Sequence, residues 1–261
     1  MAGAAGILVA MPVTIAELEA LAARGWRAPD EAPLGAWLLR AAAGFTGRAN
    51  SALAVGDPGM PLADALAHVC DWYAARGLPP MIAVPHPLGR PGDSRVDRFL
   101  SHRRWGVRSG PAVVMTAATA EVARSSPGAD VELRPEPDQA WLGRYRHGGR
   151  QLPPVARRLL LSAPFQAFAS IRRDGGTVAI GRIAVTAGWG GLTAVEVHPG
   201  YRRAGLATAI TAALAGAAAD QGAASLYLQV EEDNTAALAL YARSGFTGHH
   251  RYHYRIAPAT G

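Results

Sequence analysis

The sequence contains no lysine: all 26 of its basic residues are arginine, set against 20 acidic residues for a formal net charge of +6. Together with the abundance of alanine and glycine, this reads as a compositional bias of the coding sequence. The arginines are scattered, and no helix-turn-helix, zinc-finger or RNA-reading signature accompanies them, so no nucleic-acid partner is expected. The excess of cations suits an anionic cofactor equally well. Cysteine is nearly missing too. A lone Cys70 excludes an internal disulfide, and its neighbours Ala67, Val69 and Tyr73 mark it as a buried thiol rather than a nucleophile. No apolar run reaches the roughly 18 to 20 residues that a membrane span requires. Met1–Met11 carries no positive charge ahead of its apolar stretch, which argues against a secretory leader. The expected compartment is the cytoplasm, with no membrane partner.

What is present is ordinary globular material, 49% hydrophobic and 18% charged over 261 residues. That length has room for two units of about 120 residues, each with its own core. An internal echo supports the division. Gly44 to Val55 aligns with Gly188 to Pro199, 144 residues further on, and both stretches read as strand hairpins. After each comes an alanine-rich helix that closes at a glycine, then an apolar strand: Ala63 to Gly77 before Met81–Val84, and Ala207 to Gly222 before Leu226–Val230. A further helix, a junction of glycine with an aromatic residue and a last strand end both halves, at Trp105-Gly106 with Ala112–Met115 and at Gly245-Phe246 with Tyr252–Ile256. The turn-rich stretch Ser125–Asp130 reads as the linker. The expected domains are therefore 1–128 and 129–261. The second is expected to run strand (from Val131), two helical segments (Asp138 to Tyr145, Pro153 to Ser162), hairpin (Ala167 to Ile171 with Thr177 to Ala187), strand (Thr193 to Val197), helix, strand, helix, strand. That order implies an α+β class, a mixed β-sheet flanked by helices.

Within the second half, Leu192 to Thr208 reads as an apolar strand, a proline turn and a glycine at the mouth of a helix. First-turn amides have no partner earlier in a helix, and the helix dipole favours negative charge there, so such a mouth can hold a pyrophosphate. Gly205 removes the side chain that would block the approach. Downstream, Leu228 to Phe246 reads as a strand, an asparagine and a short helix that ends in Tyr241, Gly245 and Phe246. Asn234 and Tyr241, seven apart, share a helix face. Helix capping by Asn234 and core packing by Tyr241 would explain the same residues.

Arg202-Arg-Ala-Gly205-Leu-Ala207 resembles the phosphate loop of the GNAT N-acetyltransferases, and the Asn234 to Phe246 stretch resembles that family's second motif. The resemblance covers about Val131 to Ile256. It implies the GNAT (acyl-CoA acyltransferase) fold, with acetyl-CoA as co-substrate and no metal. By position it places cofactor contacts at Val195, Val197, Arg202, Arg203, Ala204, Gly205, Leu206, Ala207, Thr208, Asn234, Ala237 and Tyr241. It also implies two adjacent strands that splay, with the pantetheine arm on the backbone of Glu196–His198. The first half matches only the order of elements. Where the loop would stand it has Gly56-Asp-Pro-Gly-Met-Pro61, whose prolines remove donors and whose Asp57 would repel a phosphate. The whole is thus expected to be a tandem GNAT protein with a degenerate first copy that shapes or covers the active site.

Acetyl transfer to an amine needs a base for the amine and an acid for the departing thiolate. Strand alternation puts Glu196 and His198 on one face, opposite Val195 and Val197, and either could take the amine proton through water. The resemblance assigns the acid to Tyr241. The histidines His249, His250 and His253 are expected to face substrate or solvent, because no Cys, Asp or Glu stands near them in the sequence to complete a metal set. Trp141, Tyr145 and Trp189 are candidates for lining the acceptor pocket, or else core. The expected acceptor is a small-molecule amine. The alternatives are a protein or peptide N-acetyltransferase, a mycothiol-synthase-like enzyme and a non-catalytic acyl-CoA-binding module.

Overall fold

The computed structural model of the protein describes residues 13–89, 94–125, 128–145 and 152–258. Met1–Met11 and the Ser126-Pro127 part of the linker lie outside the described residues. The first half opens with α1 (Ile15–Gly25), started by a reciprocal cap in which Thr14 accepts from the Glu17 amide and Glu17 from the Thr14 amide. There follow the hairpin β1 (Asp30–Leu34) and β2 (Trp37–Ala41), the short β3 (Ala52–Leu53), α2 (Leu62–Ala74) and β4 (Met81–Pro87). Next come α3 (Arg95–His102), β5 (Gly106–Val107), β6 (Ala112–Ala118) and α4 (Thr119–Ala123). The second half runs β7 (Glu132–Arg134), α5 (Gln139–Arg144), α6 (Val155–Leu160), β8 (Phe165–Arg173), β9 (Gly176–Thr186) and β10 (Trp189–Val197). A 3-10 turn (Pro199–Tyr201), α7 (Leu206–Asp220), β11 (Ser225–Glu231), α8 (Thr235–Arg243) and β12 (Thr247–Ile256) complete it.

The element order of the second half matches expectation, and strands extend further than their apolar stretches: β10 begins at Trp189 and β12 at Thr247. In the first half the hairpin lies elsewhere. It is β1–β2, while residues 42–51 form a loop, so reading Gly44 to Val55 as a hairpin is corrected. The cause is Asn50. Its Oδ1 accepts from the amides of Ala42 and Gly44, and its Nδ2 donates to the carbonyls of Phe45 and Thr46, so those backbone groups are taken up locally. The internal match shifts accordingly. Ile82 lies opposite Ala52 and Leu226 opposite Gly190, so Gly190, 138 residues after Ala52, takes its place. The offset of 144 still holds between β4 and β11.

All the strands join one mixed sheet in the order β1-β2-β3-β4-β12-β6-β11-β10-β9-β8-β7, with β5 added on β12. The halves exchange their last strands. β6, from the first half, pairs with β11 along Ala112–Ala118, and β12, from the second, pairs with β4 along His250–Ile256. β6 and β12 also pair with each other, so a pseudo-twofold axis runs between them. The edge at which β10 and β11 end is consequently the edge at which β3 and β4 begin. One face carries α4, α7 and α8 over a core with Ile183, Leu214 and Leu226. On the other, α1 crosses the join onto β4, β9 and β10. No helix among the described residues is long and apolar enough to cross a membrane.

Two glycines set the depth of that crossing. A Cβ on Gly25 would stand 2.7 Å from the Tyr227 hydroxyl, and one on Gly191 would collide with the same phenol. Tyr227 is 5% exposed, so its ring has nowhere to move. Gly191→Ala is expected to destabilise the protein by about 1–3 kcal/mol, the usual cost of overpacking. The fall in melting temperature should be several degrees by circular dichroism, and a change below about 1 °C would show that the ring yields. The fully buried Arg182 adds a second tie. It donates from Nε to the Leu160 carbonyl at 2.7 Å and from Nη2 to the Gly25 carbonyl at 3.3 Å, both at helix C-termini. Those negative helix ends offset a buried cation, while burial pulls its pKa down to about 10.

Candidate active site

β10 and β11 run parallel and paired only from Trp189–Leu192 against Ser225–Leu228, although β10 continues to Val197 and β11 to Glu231. The ladder stops because β10 bulges. Its register on β9 shifts between Thr193 and Glu196, and Ala194 sits at φ +55°, so the strand twists away from β11. A splayed pair leaves backbone groups of residues 193–197 outside that ladder. Val195 and Val197 lean on the core that also holds Leu206, Leu228 and Tyr241, while Ala194 packs on the opposite side with Trp141 and Tyr145. Glu196 acts on that opposite side: its charge helps raise the Tyr145 phenol, which burial above all pushes up to about 12, against the lowering effect of Arg48.

At the strand's end the His198 amide donates to the Val178 carbonyl, and Nδ1 accepts from the Gly200 amide at 3.1 Å. That bond caps the 3-10 turn, leaving Nε2 as the nitrogen not used in it. Tyr201 donates to Asp174 in the β8–β9 turn, tying the loop down. The loop then passes through Arg203 at φ +64° and Gly205 at φ +73°, the N-cap of α7. A left-handed N-cap without a side chain leaves the first-turn amides of Leu206, Ala207 and Thr208 open, and α7 has no acidic residue in its first turn. Arg202, Arg203 and Ala204 are exposed beside it.

Asn234 caps α8, its Oδ1 accepting from the Ala237 amide at 3.1 Å, so the capping role is realised and the Nδ2 donor is left for another partner. Tyr241 is 8% exposed and meets Phe246 edge-on at 5.6 Å. Burial holds its phenol well above the usual range. The structure therefore brings Val195, Val197, Leu206, Ala237 and Tyr241 into one cluster around the splay, with Glu196 on the far face of β10.

Trp141 is core: its Nε1 donates to the carbonyls of Ala169 and Gly181. Tyr145 is buried beside it, and Trp189 is half-buried against the central core. Of the histidines on β12, His250 does not face solvent as expected, and His249 and His253 are part-buried. His250, fully buried, lies 2.8 Å from Glu19 of α1, His249 touches His250 and the Val13 carbonyl, and His253 lies 2.7 Å from Asp97 of α3. Their carboxylate partners are 231 and 156 residues away in sequence, out of reach of a local reading. Cys70 is half-buried in α2, where burial and then Asp71 push its thiol up.

Sequence reasoning missed α1, although Thr14-x-x-Glu17 is its starting signal, and it missed a cavity of about 750 Å³ on the edge where β10 and β11 end. The loop 43–47 with Asn50, residues 78–81, Arg108, Ile256 and Leu152-Pro153 wall it, so both halves contribute. Phe45 connects it to the splay, since it lines the cavity and packs in the cluster of Tyr145 and Ala194.

A family model described as Probable histone acetyltransferase Rv0428c C-terminal matches residues 13–255. The chain belongs to that GNAT acetyltransferase family. It is 32% identical to the Probable histone acetyltransferase Rv0428c of Mycobacterium tuberculosis over 271 residues, 98% of this chain and 79% of that protein. It is 29% identical over 254 residues to the uncharacterised N-acetyltransferase YobR of Bacillus subtilis, 93% of this chain and 98% of that one. Among solved structures, a GNAT protein from Kribbella flavida superposes with a TM-score of 0.68 at 17% identity, covering 96% of this chain and 98% of that chain. A tandem GNAT protein from the clavulanic acid biosynthesis pathway superposes at 0.62 and 13% identity, covering 81% and 76%. Those two likenesses establish the fold, and the family match makes the protein an acetyltransferase of GNAT type.

Proposed function

We propose that this GNAT enzyme transfers an acetyl group from acetyl-CoA to a primary amine of a small-molecule acceptor, held in the cavity between the halves. The observation that carries the reading is the cavity itself, of a size suited to a small ligand and sharing Phe45 with the cluster that holds Ala194 of β10. The residues fit the co-substrate. The open amides of Leu206, Ala207 and Thr208, the side-chain-free Gly205 and the exposed Arg202, Arg203 and Ala204 suit a pyrophosphate, and the backbone of Val195 to Val197 can pair with a pantetheine arm. Asn234 and Ala237 begin the helix that carries Tyr241 to the same cluster.

Acetyl-CoA supplies the acetyl group as a thioester. Glu196, close enough to Tyr145 to act on its phenol, takes the amine proton through water, and His198 stands behind it as the second choice because its Nδ1 already caps a turn. Tyr241, kept protonated by burial, gives its proton to the leaving sulfur. The first half, 1–128, supplies cavity wall and binds no cofactor of its own. Its loop spends the Gly59 amide on Asp57 and the Asp57 carbonyl on Ala36, and α2 starts from Pro61, which has no amide to offer.

The name of the mycobacterial relative gives histone as an alternative acceptor. Free-thiol release, measured with a panel of small amines and with lysine-bearing histone peptides, separates the two. Small amines are expected to be turned over with at least a tenfold higher kcat/KM, and a preference for the peptides would overturn the small-molecule reading.

A further inference from the structure

The cavity between the halves is walled mostly by apolar atoms, from Phe45, Leu78, Pro80, Leu152 and Ile256 among others, and among the described residues a single charged side chain lines it: Arg108. Its backbone amide is fixed on the Tyr254 carbonyl at 2.9 Å, and its guanidinium lies 5.6 Å from the Tyr254 ring and 3.7 Å from the Met81 sulfur. Among the described residues no carboxylate pairs with it. The other polar side chains of the wall are committed. Asn50 spends both ends of its amide on the loop backbone, and the Thr46 hydroxyl accepts from the Trp26 indole at 3.2 Å.

The seat of that guanidinium is shaped for it. A Cβ on Gly47 would stand 2.7 Å from Arg108 Nη1 and 2.9 Å from Tyr254 Cζ, so only a glycine in the loop lets both groups lie where they do. The loop holds this form at a local cost. Ala43 at φ +48° and Thr46 at φ +62° are left-handed without being glycine, and four side-chain hydrogen bonds from Asn50 hold them there. Backbone held in sparsely populated conformations collects at ligand sites. An apolar enclosure with one unmatched cation recognises a ligand whose body is apolar and whose end is an anion, and a planar guanidinium matches a carboxylate in a bidentate fashion.

We infer that the acceptor carries a carboxylate as well as its amine, with an apolar body between or beside them, and that the carboxylate pairs with Arg108 while the amine reaches towards Glu196. This deepens the small-molecule reading and rests on it. Both ligand groups are supplied by an amino acid with an apolar side chain or by an ω-amino carboxylate.

Matched acceptors test it: phenylalanine, leucine and 6-aminohexanoate against phenethylamine, isoamylamine and hexylamine, which lack only the carboxylate. The parent enzyme is expected to prefer the carboxylate-bearing member by about tenfold to a hundredfold in kcat/KM, the range of one charge-assisted hydrogen bond. Arg108→Met, which keeps length and apolar bulk, should erase that preference, raising KM for the carboxylate-bearing members at least about tenfold more than for the plain amines. The preference of the parent should also weaken as salt is raised. Equal turnover of both series by the parent, or an equal loss of both in the variant, would overturn the carboxylate assignment and leave the small-molecule reading standing. Turnover of lysine peptides with neither series acetylated would overturn both.

Discussion

Replacing Gly205 with aspartate is expected to abolish acetyl-CoA binding while the protein stays folded. The parent should titrate with one CoA per chain, and the variant with none. Two effects act together. Gly205 sits at φ +73°, where a side chain costs about 1–2 kcal/mol. A carboxylate about 4 Å from a phosphate, in surroundings of effective dielectric near 20, adds about 4 kcal/mol of repulsion, a factor of about a thousand in affinity. Asparagine tolerates the left-handed region, so Gly205→Asn isolates bulk from charge and should retain measurable binding. Calorimetry that gives the aspartate variant parental affinity would remove the phosphate from this loop. A stoichiometry of two in the parent would mean that Gly56 to Pro61 forms a second working loop.

Tyr241→Phe should lower kcat by a factor of about 10² to 10⁴, the span of general-acid assistance, and weaken acetyl-CoA binding far less. The ring keeps its edge-on contact with Phe246, so packing survives and the loss is chemical. An interaction made only in the transition state lowers kcat and kcat/KM alike. Because burial raises the phenol well above its usual range, Tyr241 remains protonated throughout the working pH range, and the parent should show no alkaline fall in rate that disappears in the phenylalanine variant. Steady-state rates at saturating acetyl-CoA decide. A loss below about threefold would leave Tyr241 as a packing residue only.

The second half was legible because its signals are local. A glycine at a helix mouth, an asparagine cap seven residues before a tyrosine and a proline after an apolar strand each act within one or two turns of chain, and the structure places all three where their spacing puts them. The bulge at Ala194 was not legible as such, since alternation alone would continue β10 straight past it. The first half misled at Gly44 to Val55 because a single side chain, Asn50, outbids strand pairing for four backbone groups. The exchange of β6 and β12 left no mark on the sequence. β6 is an apolar run and β12 alternates buried tyrosines with part-buried polar residues, patterns that fix strand character but not partner, and which position each takes is decided by pairing across the whole chain. The same distance hid the partners of His250 and His253, and with them the ties that hold α1 and α3 to β12.

That exchange also sets a timetable for synthesis. β4 and β6 are complete once Ala118 has been made, yet the strand that fills the space between them begins only at Thr247. At about 5–20 residues per second a ribosome needs on the order of ten seconds to cover the interval. Until then the facing edges of β4 and of the apolar β6 stand open, the kind of edge that pairs with whatever strand it meets. The nascent first half therefore carries two open strand edges during synthesis, and slower translation lengthens their exposure. It becomes self-sufficient only when the last strand of the sheet arrives from the other half.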